Sequence, residues 1–146
     1  MKDGLKKLQV DKNDLKKFKK VIGSQRVWLA ASTHPGEDEV ILAAHKTIGG
    51  VLLIAPRHIE SAKQIAKLSR SLGFNTQLRS EEPDIKKETA VYIADSMGEM
   101  GLWYSLTSVA FVGGSLVEKG GHNPLEAALK WIVPPFFHQG SPNESY

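Results

Sequence analysis

Val27-Trp28-Leu29-Ala30-Ala31, the turn residues Ser32-Thr33-His34-Pro35-Gly36, a helical stretch from Glu37 to Thr47, the stop Gly49-Gly50, and Val51-Leu52-Leu53-Ile54-Ala55 follow one another in this chain. That order decides the fold. Each short continuous apolar run bounded by turn residues reads as a strand buried on both faces. Between the two runs, Val40, Ile41, Ala44 and Ile48 recur at helical spacing until the glycine pair ends the helix. Pro56-Arg57-His58 then breaks the second strand. Strand, helix and strand in this spacing predict parallel strands joined by a right-handed crossover.

The alternation continues downstream. Ile59 to Leu72 carries Ala62, Ile65, Ala66 and Leu68 at helical spacing, with Gly73 placed at C′. Phe74 to Leu78 is a weaker strand, and residues 80–89, polar and containing Pro83, are a loop. Ala90 to Ala94 is another strand, followed by Asp95-Ser96-Met97-Gly98-Glu99 and a predicted helix from Gly98 to Leu106. Val109 to Val112 is the next strand. Gly113-Gly114-Ser115 then opens a glycine-rich loop that closes at Gly120-Gly121-His122. Asn123 suits an N-cap, Pro124 the first helical position and Glu126 the third. The fold class is α/β, a doubly wound parallel sheet covered by helices.

Composition agrees with a folded domain. The chain has 146 residues, 41% hydrophobic and 24% charged, with no cysteine. Disulfide scaffolds, thiolate metal sites and cysteine nucleophiles are thereby excluded. The first twenty residues hold eight lysines against Asp3, Asp11 and Asp14, a net of +5, while the rest of the chain is slightly acidic. Nucleic acid is therefore not an expected partner, because the body has no concentrated positive face. No apolar run approaches the roughly 20 residues of a membrane span, and the lysine-rich start lacks the apolar core of a signal peptide. Leu5, Leu8, Leu15 and Phe18 among those lysines allow two readings. One is a basic amphipathic surface touching anionic lipid; the plainer one is a helix packed across the domain.

In such sheets ligands bind at the C-terminal edge of the strands. The loops collecting there are 32–36, 56–58, 95–99 and 113–123, and they contain His34, His58 and His122, while His45 and His138 lie elsewhere. The glycines from Gly113 to Gly121 let backbone approach a ligand closely, and the following helix start offers N–H groups to an anion. A plain loop with an ordinary cap fits the same residues. Arg57, directly after a strand, could grip a phosphate or carboxylate, or simply be an exposed arginine. Ser96 and Glu99 form a capping-box pattern, which is the plainer reading of Glu99. Dinucleotide, Walker A, nucleophile-elbow and zinc-helix motifs are absent. The residues by themselves reach a phosphate- or nucleotide-binding domain.

Ser32-Thr33-His34, Pro56-Arg57-His58, Asp95 to Glu99, Phe111 to Leu116 and Gly121 to Ala128 together resemble the 3-deoxy-D-manno-octulosonic acid (Kdo) transferases. The resemblance runs from about Val27 to Leu129. It implies a Rossmann-like sheet from the C-terminal, donor-binding lobe of a two-lobed GT-B glycosyltransferase. It further implies CMP-Kdo or CMP as ligand, no cofactor, no metal, and transfer to lipid A precursor in lipopolysaccharide biosynthesis at the inner membrane of Gram-negative bacteria. Donor-binding candidates are Ser32, Thr33, His34, Pro56, Arg57, Met97, Gly98, Glu99, Gly114, Ser115, Gly121, His122, Asn123 and Glu126. Glu126 would hold the cytidine ribose, or else cap its own helix. The family's catalytic carboxylate belongs to its N-terminal lobe, so no catalytic residue is expected here, and a separate N-terminal lobe becomes an expected partner.

The reading divides the chain into a basic linker or helix (1–26), the sheet domain (27–130) and an atypical tail (131–146). In the tail, Trp131 to Phe137 includes Pro134-Pro135, which would block a central strand. Truncation or a frame shift would produce such an end. The expected consequences are an inactive chain, cytoplasmic or peripheral on the cytoplasmic face of the membrane, and self-association through an open sheet edge. The competing expectation is a non-catalytic nucleotide- or sugar-binding interaction module. A third, a nucleotide-sugar epimerase of similar architecture, is disfavoured by the His122 to Glu126 motif.

Overall fold

A computed structural model describes residues 10–107 and 109–113. The strands are β1 (Val27–Thr33), β2 (Val51–Pro56), β3 (Thr76–Leu78), β4 (Val91–Ile93) and β5 (Val109–Val112); the helices are α1 (Lys12–Ile22), α2 (Glu37–Ile48), α3 (Ala62–Ser71) and α4 (Met100–Leu106). All strand pairs are parallel, in the order β3-β4-β2-β1-β5. Alternate residues point to opposite faces of a strand, and both faces here are apolar. Trp28, Ala30, Leu52, Ile54, Val91, Ile93 and Phe111 pack against α2 and α3 through Ile41, Leu42, Ile65 and Ala66. Leu29, Ala31, Leu53, Ala55 and Tyr92 pack against α1 and α4 through Phe18, Ile22, Leu102 and Trp103. Burying each large side chain of this kind stabilises the fold by roughly 1.5–3 kcal/mol. That is why the strands are unbroken apolar runs.

The chain leaves β1 toward β2 and later returns to the far side of β1 as β5. The doubly wound prediction therefore holds, with the reversal at β1 opening a crevice beside its C-terminal end. Gly73 closes α3 as predicted: Phe74 N–H donates to Ser69 and Gly73 N–H to Arg70, the two bonds of a Schellman turn. That turn takes the Phe74 amide, so β3 starts at Thr76 rather than at Phe74. β4 is likewise shorter than predicted, and α3 is entered through a 3-10 turn at Ile59–Ser61. Residues 79–90 form an irregular crossover, organised by the buried Gln77. Its amide donates to the Asp84 carbonyl at 2.9 Å and accepts from the Lys86 amide and the Thr89 hydroxyl.

α1 follows the plainer of its two readings. Asp11 caps it through the amides of Asn13 and Asp14. Phe18, 2% exposed, meets Tyr92 and Trp103 edge-on at 5.3 and 5.6 Å, and Leu15 is partly buried beside them. The apolar side of α1 is spent on the sheet. On the opposite face, the Trp28 indole donates to His45 Nδ1 at 3.1 Å, and His45 Nε2 donates to the Ala90 carbonyl at 2.9 Å. Those two bonds require the neutral Nε2–H tautomer, and burial holds the His45 pKa below its ordinary value. No helix among the described residues is long and apolar enough to cross a membrane. Leu5, Leu8, the loop and helix from Gly114 to Leu129, and the tail 131–146 lie outside the described residues.

Candidate functional site

The strand ends bring most of the predicted residues to one edge. From one side to the other come Arg79 after β3, Asp95 to Glu99 beyond β4, Pro56-Arg57 at the end of β2, Ser32 to His34 at the end of β1, and Gly113 after β5. At β1 the register slips between Ala31 and Thr33. Ser32 sits there at φ +55°, a left-handed conformation that a non-glycine residue adopts at a cost. The slip lets the Thr33 carbonyl accept from the Arg57 amide at 3.1 Å, tying β1 to β2.

Gly113 ties β1 to β5. Its amide donates to the Ala31 carbonyl at 2.7 Å. A Cβ at this position would lie 2.2 Å from the Ser32 carbonyl oxygen, 2.7 Å from Thr33 Cα and 2.8 Å from Glu37 Oε1. No side chain fits, so the first residue of the glycine-rich loop is glycine because the β1 backbone at Ser32-Thr33 and the Glu37 carboxylate crowd it. Glu37 is fully buried beneath this point, and its Oε1 accepts from the His34 amide at 2.8 Å. The adjoining Asp38 carboxyl is pushed up to about 6, chiefly by burial; the Thr33 hydroxyl opposes the shift and the Glu37 charge adds to it. Asp38 lines a cleft of ≈ 240 Å³ with Pro35, Gly36, Ser61 and Gln64.

Arg57 and His58 are exposed, and the Arg57 guanidinium has no partner among the described residues. It stands at the C-terminal edge of the sheet as a cation whose donors are free among the described residues. His34 and His58 make no side-chain hydrogen bond to each other.

The other end of the edge is built from charge. Arg79, whose side chain is 10% exposed, forms a two-point ion pair with Glu99: Nε to Oε1 at 3.0 Å and Nη2 to Oε2 at 2.7 Å. Its Nη2 also reaches Asp14 of α1 at 3.0 Å, and its Nη1 donates to the Pro83 carbonyl at 2.8 Å. The rings of Phe18 and Trp103 lie 5.6 and 5.4 Å from the guanidinium carbon. Arg79 holds the Glu99 carboxyl below the usual carboxylate range. Burial pushes the neighbouring Tyr92 hydroxyl up to about 12, and it donates to the Pro83 carbonyl at 2.7 Å.

The predicted Ser96–Glu99 capping box is thus not formed. Glu99 occupies the N-cap position of α4 without a side-chain cap bond, and the helix starts at Met100 rather than Gly98. Its carboxylate is drawn to Arg79 instead, and the Ser96 hydroxyl donates to that same carboxylate. Met97 is 81% exposed at the loop tip, and Gly98 beside it has φ +76°, the left-handed region that glycine enters freely. Arg79 and Asp38 were not among the predicted site residues. Arg79 follows a strand as Arg57 does, and that was the available signal. Gly114, Ser115, Gly121, His122, Asn123 and Glu126 lie outside the described residues.

No family model matches the chain. Against known proteins, it is 46% identical over 105 residues to a 3-deoxy-D-manno-octulosonic acid transferase of Haemophilus influenzae, covering 68% of this chain and 25% of that protein. It is 37% identical over 127 residues to the transferase of the same name from Rickettsia conorii, covering 84% of this chain and 27% of that protein. The chain therefore spans about a quarter of the length of these relatives. Among solved structures, the C-terminal CMP-Kdo binding domain of WaaA from Acinetobacter baumannii superposes with a TM-score of 0.64 at 33% identity, covering 92% of this chain and 78% of that domain. A parallel sheet with its crevice at β1, these edge residues and this degree of likeness lead to one conclusion: the chain belongs to the Kdo transferase family.

Proposed function

We propose that this chain is the donor-binding part of a Kdo transferase, holding CMP-Kdo at the C-terminal edge of its sheet. The observation that carries the reading is the likeness to a CMP-Kdo binding domain over most of both chains, joined to the exposed Arg57 guanidinium at that edge, which has no partner among the described residues. In the proposed reaction an acceptor hydroxyl of a lipid A precursor attacks the anomeric carbon of Kdo. A carbon–oxygen bond forms there as the bond to the CMP phosphate breaks, and CMP leaves with the electron pair. The acceptor's proton goes to a base outside this chain. Negative charge grows on the departing phosphate, so donors fixed in advance around it lower the barrier. Arg57 is assigned to that phosphate, with the backbone of Met97 and Gly98 and, from the sequence, Gly114, Ser115, Gly121, His122 and Asn123. Ser32, Thr33 and His34 face the sugar, and Glu126 takes the ribose hydroxyls. Glu99 acts through the loop it anchors.

As a 146-residue polypeptide the chain binds donor without transferring it, because neither acceptor site nor base is assigned to it. In the cell its place is the cytoplasm or the cytoplasmic face of the inner membrane of a Gram-negative bacterium, with an N-terminal lobe as partner. The test is calorimetry with CMP, UMP and AMP. CMP should bind most tightly, and Arg57→Met should weaken it by roughly tenfold while leaving cytidine binding unchanged. Equal affinity for all three nucleotides, or none, defeats the reading. Turnover of CMP-Kdo with lipid A precursor by the purified polypeptide would defeat its inactivity.

A further inference from the structure

The tip Ser96-Met97-Gly98 is gripped at both ends by two consecutive residues, Arg79 and Ser80, of the turn that follows β3. Glu99, on its C-terminal side, takes the two-point ion pair from Arg79. Asp95, on its N-terminal side, accepts from the Ser80 amide at 2.8 Å and from the Ser80 hydroxyl at 2.6 Å. The Ser96 hydroxyl closes the loop onto Glu99 from within. Arg79 is itself fixed by the β3–β4 pairing, since its amide donates to the Ile93 carbonyl at 2.9 Å, and by Asp14 and the Phe18 and Trp103 rings. Two carboxylates four residues apart are thus held by adjacent residues of the turn after β3. Such an arrangement has little freedom left to lose.

The geometry points to Arg79 and Ser80 as positioning residues that hold the Ser96–Gly98 tip in its ligand-ready shape, so that nucleotide binding does not have to order it. The inference rests on the donor reading for the identity of the ligand, but the clamp itself is a property of this chain. Ordering a loop at the moment of binding costs free energy, and fixing it beforehand removes that cost. Neither residue touches the ligand; both act through Asp95 and Glu99. A lysine at position 79 would keep the charge and lose the fork that meets both carboxylate oxygens.

The full 146-residue chain, labelled at its methionine methyl groups, serves for the test. Ser80→Ala removes only an exposed hydroxyl and should leave the melting temperature nearly unchanged while loosening the Met97 methyl in NMR relaxation. CMP affinity should fall about threefold in that variant. Arg79→Lys should loosen Met97 further and weaken CMP on the order of tenfold. Lowered melting in Arg79→Lys, with Met97 relaxation and CMP affinity as in wild type, would overturn the clamp. If wild-type protein binds no CMP, the donor reading falls, and the nucleotide as beneficiary with it. The clamp is then decided by Met97 relaxation alone: loosening in both variants upholds it, and unchanged relaxation overturns it.

Discussion

The two ends of the candidate edge are held by different physics. At β1 and β5 the chain relies on close backbone approach: the Gly113 amide on the Ala31 carbonyl, and a Cα that leaves no room for a Cβ beside Ser32. At β3 and β4 it relies on a nearly buried guanidinium shared among Glu99, Asp14 and the Pro83 carbonyl. Close approach tolerates no added atom but is indifferent to charge. The ionic end tolerates changes of shape better than loss of its cation, because two partly buried carboxylates would then be left facing each other. The difference teaches where each end will fail.

The largest effect is expected from Arg79→Met. Removing one partner of a mostly buried ion pair costs several kcal/mol, and with Glu99 and Asp14 about a quarter exposed the loss should be about 3 kcal/mol in urea denaturation. Gly113→Ala comes next, at about 2 kcal/mol, because the overlap is with backbone that cannot rotate away. Combining the two sharpens the comparison. Sites that share no partner should lose stability additively, within about 0.5 kcal/mol. A larger coupling in the double variant would show that the edge is one cooperative unit rather than two.

The backbone-held end was the legible one. Continuous apolar runs, Gly49-Gly50, Gly73 and the turn residues after Val27 to Ala31 are local signals, and they located β1, β2, α2 and α3 closely. The register slip at Ser32 was not legible, since nothing in a Ser-Thr-His turn requires φ +55°. The ionic end was misread for a different reason. Ser96 and Glu99 fit a local capping rule, yet the partner that wins Glu99 is twenty residues away at Arg79, with a third charge at Asp14, sixty-five residues away. A charge-assisted two-point pair outweighs a single cap bond. Similarly, Phe18 among the lysines allowed a lipid-facing or a packed reading, and the rings of Tyr92 and Trp103, far off in sequence, are what decide for packing. The outer boundary of the candidate site was thus drawn by long-range charge, which no spacing rule encodes.

One helix carries the contrast in miniature, and it supplies the smallest predicted effects. α2 begins at the edge with Asp38 and ends in the core with His45. His45 is held neutral by burial, so its folded pKa lies below 6.5. The unfolded chain therefore takes up a proton first as pH falls below about 6.5, and stability drops with it. His45→Gln should abolish that drop in thermal melts between pH 7 and 5, while costing about 1.5 kcal/mol at pH 7 through the lost Trp28 bond and packing. Asp38 works in the opposite sense. Its folded pKa is raised to about 6 from 3.8, so the folded state holds the proton longer and stability falls as pH rises across that window. Asp38→Asn should be more stable than wild type at pH 7 by about 1 kcal/mol, after allowing for solvent screening of a half-buried group, and no more stable at pH 4. Because the two slopes oppose each other where their windows overlap, wild-type melting should be nearly flat between pH 5 and 6, and each variant should unmask the other's slope. Parallel slopes in the two variants would mean that the charge at the edge and the imidazole in the core are not independent, and that α2 transmits one to the other.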